Sequence, residues 1–188
     1  VNTYISFLLD NHSKIDKSIE IDCKSELVAE EVASFLKISN SGQKVKGEFE
    51  EIFDKVVPIE KYSIYHEHYL NNLLPITCKP AKDDGYIAAI IDYHGIIKAS
   101  KRDDRNYIVI DFRKKSILND VSHYFKKSYK SSLTIQGKDL LFALDRLADH
   151  LIIKKKEAEL ITDILARPED IGAFDRWMDY TKKNKNSK

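Results

Sequence analysis

One order of residue classes occurs twice along these 188 residues. A repeat restricts the fold more than any single motif does, because both copies must build the same unit. The stretch Tyr4-Ile-Ser-Phe-Leu-Leu-Asp-Asn-His-Ser-Lys-Ile15 matches Tyr86-Ile-Ala-Ala-Ile-Ile-Asp-Tyr-His-Gly-Ile-Ile97 in class, each an apolar helical segment ending in Asp-x-His. After each comes an alternating segment of half-buried strand type, Ser18–Cys23 and Asn106–Phe112. A helical pattern then follows, with Leu27, Val28, Val32 and Phe35 in Lys24–Leu36, and Ile117, Leu118, Val121 and Tyr124 in Arg113–Phe125. Register is kept, since Asp22 to Phe35 and Asp111 to Tyr124 are each 13 residues apart.

The second copy continues with a strand at Ser132–Gln136, a turn at Gly137 and an amphipathic helix over Lys138–His150 carrying Leu140, Leu141, Leu144 and Leu147. A further helix runs from Lys156 to Ala166 and is closed by Arg167-Pro168. In the first copy Gly47–Val57 takes the place of the Gly137 helix and Ser63–Leu74 that of the later one, while Pro75, Pro80 and the polar stretch Lys79–Asp84 form a linker. The expected class is α+β, with repeats at 1–83 and 84–170 and a terminal helix and basic tail at 171–188. In that last segment Phe174, Trp177 and Tyr180 lie three apart, as core anchors or as a stacking or docking face, and Lys182–Lys188 reads as a disordered basic tail able to touch phosphates.

Charge separates the copies. The chain holds 31 Lys and Arg against 30 Asp and Glu, a net charge of +1 that by itself argues against a strongly basic nucleic-acid binder. Residues 1–83, however, carry 10 basic and 14 acidic groups, and residues 84–188 carry 21 and 16. Within Lys98–Lys130, 10 basic residues face only Asp103, Asp104, Asp111 and Asp120, which makes either a phosphate-attracting patch or a solvated charged surface. A hydrophobic content of 43% excludes the disordered class, and the lack of an apolar run near the ~20 residues of a membrane-spanning helix predicts a soluble protein with no membrane partner. Cys23 and Cys78 show neither disulfide-framework nor zinc-finger spacing, as suits a reducing or neutral compartment. The chain opens on Val1 and its single methionine is Met178, so either a targeting segment has been removed or the stretch has been trimmed. Heavy use of Lys, Asn, Ile and Tyr suits an AT-rich genome such as an organelle's, and points to a mitochondrial matrix or another intracellular setting.

The two apolar segments resemble the LAGLIDADG motif of homing endonucleases and intron maturases: Ile87-Ala-Ala-Ile-Ile-Asp-Tyr-His-Gly95 at most places, and Ile5-Ser-Phe-Leu-Leu-Asp-Asn-His-Ser13 more loosely. Leu147-Ala-Asp-His-Leu-Ile-Ile-Lys-Lys-Lys-Glu-Ala-Glu-Leu160 is similar to the family's closing segment, an apolar run leading to a lysine and a helix. The resemblance implies a pseudo-two-fold pair of αββαββα units, close packing of the motif helices through small residues, and a saddle of antiparallel strands that grips nucleic acid. Ala88, Ala89 and Ser6 suit close packing, and Phe7 does not, so the first helix is expected to pack differently.

The resemblance also implies catalysis by an acid at the eighth motif position, where paired carboxylates hold divalent metal between phosphates. Here His12 and His94 stand at that position, and neutral imidazole is a poor Mg²⁺ ligand, though suited to zinc. Asp10 and Asp92, two residues earlier, would serve only if the helices ended sooner; otherwise they close a helix end or bind nearby backbone. The histidines either hydrogen-bond a carbonyl or form a rewired metal site. Lys154 matches the family's basic residue near the scissile phosphates, with Lys61 in a comparable place in the first copy. The expected nucleic-acid face comprises Lys98, Lys101, Arg102, Arg105, Arg113, Lys154 and Lys155, whereas the first copy, shortened to Lys14–Lys17 and followed by Glu20 and Asp22, is expected to be acidic and to repel a duplex.

These features lead us to expect an inactive LAGLIDADG-like protein with no metal or other cofactor, binding structured RNA as a maturase-like factor or as a component of a ribonucleoprotein such as an organellar ribosome. Two rival readings stay open. One is a site-specific DNA endonuclease using Mg²⁺ with Asp10, Asp92, His12, His94 and Lys154. The other is a protein-protein module working through an acidic first repeat.

Overall fold

The computed structural model describes residues 2–15, 18–56, 83–102, 105–167 and 170–185. Two compact units divide the chain, Val1–Ala89 and Ile90–Lys188. The division falls inside the second motif helix, six residues beyond the boundary drawn from the linker, and the terminal segment 171–188 belongs with the second unit. The expected helix at Ser63–Leu74, together with Lys61, Cys78 and both linker prolines, lies outside the described residues.

In the first unit α1 (Asn2–His12) leads into β1 (Ser13–Ile15) and β2 (Ile19–Asp22), then α2 (Glu26–Leu36), β3 (Asn40–Ser41), β4 (Lys44–Gly47) and α3 (Phe49–Val56). The second unit takes up α4 (Asp84–His94) from Ile90 onward, then β5 (Ile96–Arg102), β6 (Arg105–Phe112), α5 (Lys115–Phe125), β7 (Leu133–Gln136), α6 (Gly137–Leu147), a 3₁₀ turn at Ala148–His150, α7 (Lys155–Ala166) and α8 (Ile171–Lys185). Four strands have no counterpart among the segments read from the sequence, β4 (Lys44–Gly47) being one. Ser13–Ile15 and Ile96–Arg102 continue directly from the motif helices, and Asn40–Ser41 makes a hairpin with β4. The expected tail is helical from Lys182 to Lys185.

Both sheets are antiparallel, ordered β1-β2-β4-β3 and β5-β6-β7. Register repeats as well: Ile21 faces Val45 and Asp22 faces Lys44 in one sheet, as Ile110 faces Ile135 and Asp111 faces Thr134 in the other. Alternation turns Ile19, Ile21 and Val45, and likewise Ile108, Ile110, Phe112, Leu133 and Ile135, into the cores, where all are buried. In the first unit α1 packs on β2 and α2 on β4, with α3 against both helices; in the second, α6 packs on β6 and β7, α7 on α6, and α8 on α7. Trp177 anchors α8 as a buried residue, with Phe174 tilted against it. On α2 the buried stripe is Val28, Ala29, Val32, Ala33 and Leu36, so Leu27 and Phe35, expected in the core, are exposed. Burial also pushes the Cys23 thiol up to about 12.

Phe7, the residue too large for the motif pattern, is fully buried and meets Tyr86 edge to face, with ring centroids 5.4 Å apart. The chain also comes close at Gly85, where a Cβ would run into Thr3 Oγ1. Both contacts are within the first unit, and glycine at 85 leaves the space that a side chain would take beside Thr3.

α2 and α5 end alike. Lys37 and Lys126 take left-handed conformations, with φ of 53° and 51°, and the following amides, Ile38 N–H and Lys127 N–H, reach back to Ala33 and Ser122 carbonyls. This is a Schellman closure with lysine where glycine is preferred, at a cost of about 1 kcal/mol each. After α4, Gly95 donates to Ile91 O, and a Cβ there would lie 2.8 Å from that oxygen and 3.2 Å from Ile110 Cγ2. We expect Lys126→Gly to stabilise the protein by about 0.5–1 kcal/mol and Gly95→Ala to destabilise it by about 1–3 kcal/mol, read as opposite shifts of the urea midpoint.

Candidate nucleic-acid interface

At the end of α4, Asp92 is only 3% exposed. Its Oδ2 accepts the backbone N–H groups of Ile152 (2.8 Å) and Ile153 (3.1 Å), and its Oδ1 accepts that of Lys154 (2.9 Å). The Lys154 ammonium donates to the Asp92 carbonyl. The carboxylate thus binds backbone, the structural one of its two expected roles, and the Lys154 ammonium lies on the carbonyl end of α4. Lys155 begins α7 and is exposed, and Asp10, the counterpart of Asp92, is exposed on α1.

α1 and α4 both terminate at the motif histidine, with no earlier end that would bring Asp10 or Asp92 to the terminus. The His12 ring lies 5.8 Å from that of Phe7. His94 Nε2 lies 3.3 Å from Lys114 Nζ. The residues at the end of α4 do not fit Mg²⁺: an imidazole and an ammonium stand there, and the nearby carboxylate is occupied by three amides. Among the described residues no group of three His, Cys, Asp or Glu could hold a metal ion.

The side of each sheet turned away from the core carries the charge. In the second unit Lys98, Tyr107, Asp111, Thr134 and Gln136 fall in the same alternation set. Asp111 binds Lys98 (2.6 Å), Arg113 (3.4 Å) and the Thr134 hydroxyl, and the Lys98 and Thr134 bonds hold its carboxyl below the usual range. Tyr107 donates to Gln136 Oε1 at 2.8 Å. Positions 102 and 105 pair with each other in this same set, while position 101 pairs with Asn106 in the other.

The first unit departs from expectation. Its first hairpin is shortened as expected, with strands of 3 and 4 residues against 7 and 8 in the second unit, but its outer set comprises Lys14, Glu20, Asp22, Lys44 and Lys46, three cations and two anions. The Lys44 ammonium binds Glu20 at 2.7 Å, which lowers the Glu20 carboxyl and raises the lysine. The outer face of this sheet is therefore not acidic among the described residues. Lys44, Lys46 and Lys114 are the residues that sequence reasoning left out of the candidate set. The alternation of Lys44-Val-Lys46 about a buried Val45 signals the first two.

No protein-family model matches the chain, and no curated protein is significantly similar to it. Solved structures do match. A single-site alanine mutant of I-SmaMI aligns at 12% identity over 97% of this chain and 96% of its own, with a TM-score of 0.54. The I-SmaMI LAGLIDADG homing endonuclease bound to cleaved DNA aligns at 11% identity over 97% and 95%, also at 0.54. The LAGLIDADG homing endonuclease I-GzeII in complex with its DNA target aligns at 12% over 95% and 96%, at 0.55. The chain therefore has the two-repeat, α+β LAGLIDADG homing endonuclease fold. Among the described residues no helix is long and apolar enough to cross a membrane.

Removing the Asp92 carboxylate leaves three amides without their acceptor, so Asp92→Ala should destabilise the fold by about 3 kcal/mol, with Asp92→Asn intermediate, in denaturant titration. The stabilisation from Asp111 should be complete above the unfolded carboxyl value near ~3.9 and disappear as pH falls through its lower folded value. Thermal melts of wild type and Asp111→Asn should differ at neutral pH and converge in strong acid.

Proposed function

We propose that this protein binds nucleic acid through the outer faces of its two sheets and does not cleave it. The observation that carries this reading is the end of α4: His94 and Lys114 stand at the terminus, while the nearby Asp92 carboxylate is spent on the amides of Ile152, Ile153 and Lys154. Support for binding comes from the fold, shared with nucleases solved on DNA, and from Lys14, Lys44 and Lys46 on one outer face and Lys98 and Arg113 on or beside the other. The finer form of the proposal is structured RNA, held by a maturase-like factor or a fixed part of an organellar, mitochondrial ribonucleoprotein. A phosphate-binding face joined to an unsuitable metal site fits lasting attachment better than turnover.

The purified chain should bind a structured RNA in electrophoretic titration, and binding should weaken steeply with salt. Lys46→Glu in the first sheet and the pair Arg102→Glu and Arg105→Glu in the second should each lower affinity about tenfold or more. A parallel titration with duplex DNA decides the class of nucleic acid, and absence of binding to both would overturn the proposal. The fold favours one rival, a DNA endonuclease using His12, His94, Asp10, Asp92 and Lys154 with Mg²⁺. Plasmid cleavage that needs Mg²⁺ or Mn²⁺ and is lost in His12→Ala or His94→Ala would establish it in place of our reading.

A further inference from the structure

We propose that the outer side of α6, with the C-terminal end of α5, is a docking surface for an unpaired strand of RNA whose bases stack on Phe142 and the rings near it; this rests on the reading that the protein binds structured RNA, and it concerns a face other than the sheets. The first observation is a difference between equivalent positions. Val45 and Ile135 hold the same place in their sheets, and seven residues beyond them stand Ile52 and Phe142. Ile52 is fully buried, whereas Phe142 is 62% exposed. Four residues further on, Val56 is buried and Arg146 is exposed. In the first unit this ridge belongs to the core, because α3 packs against α1 and α2. In the second, α6 turns Leu140, Ala143, Leu144 and Leu147 inward and leaves the ridge to solvent. An exposed phenylalanine forgoes most of what its burial contributes to folding, and a large apolar ring kept outside where the other copy buries its counterpart marks a place that answers another requirement.

The second observation is what stands beside that ring. Asp139 and Arg146 lie three residues before and four after Phe142, hence on the same side of α6. Both reach the end of α5: Asp139 binds Lys127 at 2.7 Å, and the Arg146 guanidinium lies over the Tyr124 ring, 5.7 Å from its centroid. Phe142 therefore stands between two contacts that join α6 to that end. Tyr124 meets Phe125 edge to face, with centroids 4.9 Å apart, and both rings are half-buried. Residues 124–146 carry five cations against Asp139 and Asp145, and Lys126, Lys130 and Lys138 among them are exposed. Open rings set among an excess of cations suit a polyanion that also has π faces. Bases stack on aromatic rings whatever their identity, while ammonium and guanidinium groups take the phosphates between them. Duplex DNA keeps its bases stacked inside, whereas structured RNA offers them in loops and bulges, so the occupant is an unpaired RNA segment.

Titration of the full chain with a single-stranded oligouridylate of about ten nucleotides tests the surface. Phe142→Ala should lower affinity about tenfold, and so should Phe142→Leu, which keeps apolar area but loses the aromatic face; Phe142→Tyr should retain it. In Phe142→Trp the oligouridylate should quench the added indole, beyond any change in the wild type, whose Trp177 is buried. Because the ring is exposed, these variants should melt within a few degrees of the wild type, so that lost affinity is not lost fold. Failure of the wild type to bind oligouridylate would overturn the surface and leave its rings to a protein partner. Full affinity in Phe142→Ala or Phe142→Leu would overturn it as well. Oligouridylate binding that depends on Phe142, with structured-RNA binding indifferent to Lys46→Glu, would leave this surface standing and remove the reading of the sheets; structured-RNA binding lost in Lys46→Glu, with oligouridylate binding indifferent to every change at Phe142, would do the reverse.

Discussion

Three backbone N–H groups of the loop entering α7 converge on one carboxylate, that of Asp92, and the second unit is arranged about this point. A buried carboxylate without partners would cost several kcal/mol, and three amide donors turn it into a strong local tie. The tie fixes the start of α7 to the end of α4, and the Lys154 ammonium binds the same residue's carbonyl. α8 then packs on α7. Immediately beyond, Gly95 lets the chain leave the helix within one residue and enter β5 against Ile110. Four consecutive positions, 92 to 95, thereby set the helix end, the sheet edge, the α7 loop and the placement of His94.

Much of this architecture was legible because alternation and helical spacing are local. The paired strands at Ile19–Asp22 and Arg105–Phe112, the helices after them and the late helices were readable from apolar periodicity. What escaped depends on partners. Ile96–Arg102 is not marked as a strand by its own pattern until it is seen paired residue by residue with β6. Leu27 and Phe35 looked like core at helical spacing, yet the buried arc is centred on Ala29 and Ala33, small residues that carry little weight in a pattern. The roles of Asp92 and Lys154, 62 residues apart, could not be read from spacing, since backbone amides carry no sequence signal.

Charge shows the same limit more sharply. Counting along the chain made the first repeat acidic, but acids on α2 such as Glu26, Glu30 and Glu31 lie on a helix, away from the strand positions that matter for a flat ligand. On the outer strand set the balance reverses to three lysines against Glu20 and Asp22. In the second sheet the abundant cations are partly neutralised by one residue, Asp111, which gathers Lys98 and Arg113. Surface electrostatics follow the face and not the segment, and strand alternation decides which charges share a face.

Comparison of the two units then isolates what distinguishes them. Strand register and the left-handed lysine closures coincide, so divergence in those parts is small. Both motif helices end on histidine, and a shared residue cannot by itself explain a difference between the units. The contrast lies in the helices that follow β4 and β7, where Ile52 and Val56 are buried in the first unit and Phe142 and Arg146 are exposed at the same places in the second. Burying a large apolar side chain contributes about 1.5–3 kcal/mol, a sizeable share of a marginal stability, whereas a phenylalanine left in water contributes little to folding. Stability therefore does not account for the exchange, and what the outer side of α6 meets is what remains to account for it.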